Sequence, residues 1–163
     1  TFTEPSAPRN LFSFAGAAVY SGAFTAPTAT ALAVGATQVA AATSWSLDVN
    51  RNADVADWRM GGKSIPIPGI AAVTGGLGLV YNADTFVSAF LADTPFSLVL
   101  NFEAGTLGVG KETVQVILPE IRLNGEMPKS TGAKPVMAAT YEALENGTNP
   151  LLMVCCRTAD TAL

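Results

Sequence analysis

The sequence predicts a mainly β protein, an antiparallel β-sandwich or small barrel with one short flanking helix. Three observations carry this. Residues 44–50 (SWSLDVN) alternate, with Trp45, Leu47 and Val49 on one face and Ser44, Ser46, Asp48 and Asn50 on the other. That is the period-2 pattern of a half-buried strand. Strand-like runs are separated by turn signals such as Asn124-Gly125 and Asn146-Gly147 rather than by crossover helices, which favours antiparallel neighbours. One short segment ending near Asp93 carries apolar residues at helical spacing.

The elements follow in order. Residues 1–10 (TFTEPSAPRN) read as an extended N-terminal arm, because Pro5 and Pro8 oppose helix and little is apolar. Residues 11–163 read as a single β domain. Leu11 to Phe24 is a strand or hairpin; residues 25–43 are Ala/Thr-rich, open to strand or loop. Ser44 to Asn50 and Ala71 to Tyr81 are strands, joined by a charged loop, 52–70, that holds a tryptophan. Loops beyond about 12–15 residues are usually functional or disordered. Asn82 and Asp84 are candidate N-caps for the helix, Phe86, Ala89 and Phe90 make its buried face, and Pro95 stops it. Phe96 to Phe102 is a strand and Glu103 to Gly110 a glycine-rich turn. Thr113 to Leu123 is a long strand interrupted at Pro119, which demands an edge, a bulge or a bend. Met127 to Pro135 is a loop, and Val136 to Leu144 and Leu151 to Arg157 are the last strands.

Composition narrows the function. The chain has 163 residues, 49% apolar and 13% charged; the charged share is about half the average of about 25%. Apolar surface must be hidden somewhere, and oligomerisation is the simplest way. No apolar run approaches the roughly 18 residues of a membrane helix. Net charge is −4, which argues against a basic nucleic-acid-binding surface. Cys155 and Cys156 are adjacent and point to opposite faces on a strand, so no disulfide framework is expected. The apolar stretch at 11–24 follows Glu4 and a single base, Arg9, a poor match to a secretory signal.

The sharper motifs fail on chemistry. Gly61-Gly62-Lys63-Ser64 suggests a phosphate loop, but the position that requires glycine is Asp57. Asp48 to Asp54 has the oxygen spacing of a calcium loop, but its sixth position is Ala53 and its twelfth is Arg59, where glycine and a bidentate acid belong. There is no histidine, so His-activated serine or cysteine nucleophiles are excluded. Zinc would have to rely on the two adjacent cysteines and on carboxylates, and neighbours on opposite faces make a poor start. Glu142 and Glu145 stand at a strand end and turn rather than as a catalytic pair. No enzyme activity, cofactor or metal site is expected.

The order of pieces resembles the phage tail tube proteins of long non-contractile tails. The match rests on strand SWSLDVNRN, the charged loop, the VTG strand, helix DTFVSAFLADTP, strand FSLVLNF, Leu118-Pro119-Glu120-Ile121 and Glu142-Ala143-Leu144-Glu145-Asn146-Gly147. It covers roughly residues 44–160. The resemblance implies hexameric rings stacked into a hollow tube, with strands of all subunits joined in an inner β-barrel whose acidic lumen conducts DNA. It implies self-association, tape measure, tail terminator and distal tail proteins as partners, DNA only in transit, no membrane, and a place in the virion tail after assembly in the host cytoplasm. It places Ser46, Asp48, Asn50, Thr74, Thr140 and Glu142 as lumen-facing candidates; outer solvent is the alternative, since a register slip of one residue flips every face. It makes Asp54, Asp57, Trp58, Arg59 and Lys63 candidates for contact between rings. Trp58 flanked by opposite charges suits an interface anchor, or it folds back on its own domain. Two other readings stay open: a secreted adhesin or carbohydrate-binding β-sandwich, and a related secretion-system tube protein.

Overall fold

A computed structural model describes residues 14–26, 37–39, 42–53, 69–80, 85–106, 111–125 and 136–158. The arm 1–10, most of the loop 52–70, the N-cap candidates Asn82 and Asp84 and the loop 127–135 lie outside them. After a 3-10 turn at Phe14–Gly16 come strands β1 (Ala17–Gly22), β2 (Thr37–Gln38), β3 (Ala42–Asn50) and β4 (Ala72–Val80). Helix α1 (Thr85–Ala92) precedes β5 (Phe96–Thr106), β6 (Lys111–Asn124), β7 (Val136–Ala143) and β8 (Met153–Arg157). Every strand register described is antiparallel. The expected mainly antiparallel β class with one short helix is therefore observed.

These elements form two compact units. One contains β1, β2, β5, the first part of β6 to Leu118, and β8, in strand order β2-β1-β5-β6-β8. Its core centres on Val99 and Ile117, with Tyr20, Phe24, Met153 and Cys155 packed against them. The other contains β3, β4, α1, the remainder of β6 and β7, in strand order β6-β7-β4-β3. Its buried apolar residues include Val73, Leu77, Leu79, Ile121, Leu123, Ala139 and Tyr141.

Two expectations are corrected. Glu103 to Thr106 continues β5 instead of turning. Glu103 has a cross-strand partner there: its carboxylate accepts from Lys111 Nζ at 2.6 Å and from Asn101 Nδ2 at 3.0 Å. β6 also runs without a break through Pro119. Thr113 to Ile117 pair with β8 and Ile121 to Asn124 with β7. The proline stands between these two registers, where the strand passes from β8 to β7, and neither of them includes the position that lacks an N–H.

The helix ends one residue early, and the cause is visible. Asp93 adopts a left-handed conformation (φ 51°). Its N–H donates to Phe90 O, and the Thr94 N–H donates to Ala89 O, the pair of bonds that closes a Schellman cap. The helix is thus finished before Pro95. Phe86, on its inner face, meets Phe96 edge-to-face at 5.7 Å between centroids, an arrangement favoured by the ring quadrupoles.

Candidate functional site

The registers of the second unit sort its side chains by face. Residues opposite one another in an antiparallel pair project to the same side. Leu47, Gly75, Tyr141 and Leu123 form one transverse row, and Trp45, Leu77 and Ala139 the next; this is the apolar side. On the other side, Asp48, Thr74, Glu142 and Arg122 form a row across four strands. Beside it run Ser46, Gly76, Thr140 and Asn124, with Asn50 opposite Ala72. Ser46, Asp48, Asn50, Thr74, Thr140 and Glu142 all stand on this side of the sheet. Five are exposed and Glu142 is half-buried.

Several of these groups also serve the sheet. Ser46 Oγ accepts from the Gly76 N–H at 3.0 Å, and Thr140 Oγ1 donates to Asn124 O. Asn50 Oδ1 accepts from the Asn52 N–H at 2.8 Å. Asn52 is itself left-handed (φ 47°), and its Nδ2 donates to Ile70 O at 2.8 Å. The first bond shapes the outgoing foot of the long loop, and the second ties that foot to the returning one. A Cβ on Gly69 would lie 2.1 Å from Asn52 O, so the feet close only with glycine there. The contact candidates Asp54, Asp57, Trp58, Arg59 and Lys63 lie beyond the feet, outside the described residues.

Glycine shapes the rest of the face. Gly76 and Gly78 carry no side chain between Ser44, Ser46 and Thr140, leaving an open trough of about 230 Å³. On the reverse side Gly75 lets Tyr141 cross β4, and its phenol donates to Ser46 O at 2.8 Å. Burial pushes that phenol up to about 12, partly offset by the Trp45 indole.

The residues that sequence reasoning missed are Arg122 and Asp93. The Arg122 guanidinium engages the Asp93 carboxylate in a two-pronged ion pair, Nε to Oδ1 and Nη2 to Oδ2. The Asp93 carboxyl is held below the usual range, chiefly by that hydrogen bond, and Glu142 adds to the pull on Arg122. Alternation along β6 places Arg122 on the polar side, but its meeting with Asp93 depends on where the helix ends. Among the described residues no cluster of histidine, cysteine, aspartate or glutamate could hold a metal. No helix among them is long and apolar enough to cross a membrane.

The chain matches the phage tail tube protein family over residues 1–143 and belongs to it, as a structural component of the tail tube in the virion. It also shares the fold of the chain in the cryo-EM structure of the anti-feeding prophage cap, a tube-terminating cap, with a TM-score of 0.60 and 15% identity. That alignment covers 94% of this chain and 97% of the other. No curated protein matches the chain by sequence.

Proposed function

We propose that this chain is the repeating, non-enzymatic subunit of a tail tube. Six copies close a ring, the rings stack, and the polar face of the second unit lines a channel for DNA. The observation that carries this reading is the transverse row Asp48–Thr74–Glu142–Arg122, whose carboxylates stand on the same side of one sheet. An acidic wall repels phosphate, whereas a basic wall would bind it with strongly salt-dependent affinity. Among the described residues β3 has a strand neighbour on one side only, and its other edge is where the sheet continues into the next copy, which removes an edge otherwise prone to uncontrolled pairing. The loop 52–70 and the arm 1–10 bridge successive rings. Tape measure, terminator and distal tail proteins are the partners, with assembly in the host cytoplasm.

Negative-stain microscopy of the purified protein tests this. Rings or tubes with a narrow channel are expected, and a monomer that never forms a ring, with or without tail partners, would defeat the reading. Trp58→Ala with Arg59→Glu should leave a folded protein that forms rings but no tubes. Normal polymerisation of that variant would show that the loop is not the connector. The likeness to a terminating cap supports a second reading, a ring that ends a tube: the wild type would then form single rings that never stack.

A further inference from the structure

We propose that Asp93 masks Arg122 and so keeps the DNA-facing wall free of bare positive charge; this rests on the lumen reading of the polar face. Among the described strand residues of that face, Arg122 is the one base, alongside Asp48 and Glu142. A free guanidinium is the side chain best shaped to grip phosphate in a two-pronged way. Duplex DNA offers it a charge every ~1.7 Å. A repeating subunit would set Arg122 in every copy, so a passing genome would meet it again and again.

Asp93 removes that grip. It takes the guanidinium through both Nε and Nη2, the geometry a phosphate would use. Its carboxylate is delivered by a separate element: the backbone bonds of Asp93 and Thr94 to the last turn of α1 fix where it stands. Glu142, opposite Arg122 in the register, adds negative charge on the other flank. The pair is about half exposed, with side chains at 47% and 54%. Ion pairs that open to water add little to stability, so fold stability alone is a weak reason for this arrangement.

The test uses virions carrying substituted tail protein and follows DNA ejection by dye fluorescence. Asp93→Asn keeps the left-handed position, which asparagine adopts readily, but strips the countercharge from Arg122. Ejection should slow about threefold or more at low salt, and the slowing should fade toward 1 M salt, where the screening length is ~3 Å. Adding Arg122→Gln to Asp93→Asn should restore the rate, which a folding defect at Asp93 would not allow. Asp93→Gly, equally at ease in the left-handed region, replaces Asp93→Asn if that variant fails to assemble. Asp48→Lys, which places a bare cation on the same row, is the reference and should slow ejection too. If Asp48→Lys slows ejection and the Asp93 variants do not, masking is overturned while the lumen reading stands. If none slows it, the lumen reading falls and masking with it.

Discussion

Gly75→Ala will destabilise the second unit by about 3 kcal/mol, the upper end of what overpacking costs. The new methyl would lie 2.2 Å from Ser46 O and 2.4 Å from Tyr141 Oη. Neither neighbour can yield. Ser46 O is backbone on the adjacent strand. Tyr141 is 1% exposed, and its phenol is tied to that same carbonyl. The neighbouring Gly76→Ala is the control: its methyl would face Ser46 Oγ at 3.2 Å, an exposed hydroxyl held by the Gly76 N–H that needs to give by only a few tenths of an ångström, so the loss should stay near the ~1 kcal/mol of one hydrogen bond. Urea denaturation of both variants checks the contrast. Equal losses at the two glycines would mean that the Tyr141 crossing is not what requires Gly75.

The same crossing predicts alkaline sensitivity. The Tyr141 phenol has a pKa raised to about 12 in the fold, against about 10 in an unfolded chain. The folded state therefore holds the proton more tightly. The stability linked to this is complete below about pH 10 and is lost as pH rises toward 12. Tyr141→Phe should remove that part of the alkaline loss. It should also cost about 1 kcal/mol at neutral pH for the missing hydrogen bond.

What could be read from the sequence divides along physical lines. Strands with a clear period of two, such as Ser44 to Asn50, were legible because alternation needs no partner to be seen. So was the shared face of Ser46, Asp48 and Asn50, and so were the turns at Gly125 and Gly147, both of which have positive φ. The extension of β5 to Thr106 was not legible, because the ion pair between Glu103 and Lys111 joins residues on two strands and leaves no local pattern. Pro119 on its own reads as an interruption that demands an edge, a bulge or a bend. A proline limits one ladder position, and a strand that changes partner there meets the limit without breaking. Rows across strands were the least accessible. Thr74, Thr140 and Glu142 could be placed on polar faces one strand at a time, but that they share a row with Arg122 depends on register. The pairing of Arg122 with Asp93 further depends on the helix cap. For the family, the order of elements was sufficient.

Val49→Glu, alone or with Leu47→Thr, should leave a folded chain that fails to close the proposed rings. The argument begins with the edge. Among the described residues β3 pairs with β4 alone, and its other side is open. On its apolar face Trp45 and Leu47 are only half-buried and Val49 is 51% exposed. A long, apolar, uncovered edge strand is a hazard in a free protein and an asset in one whose neighbour covers it. Burying a side chain of this kind contributes about 1.5–3 kcal/mol, and each subunit of a closed ring would contribute it once. Placing a carboxylate there removes that contribution and adds the cost of desolvating a charge without a partner. Ring formation should weaken by at least about a hundredfold, two steps of about 1.4 kcal/mol each. The fold itself should lose little, because the substituted position is already half in water. Sedimentation velocity gives the assembly state and circular dichroism the fold. Rings that persist in the variant at wild-type concentrations would mean that this edge faces solvent in the tube, and that the subunits join elsewhere.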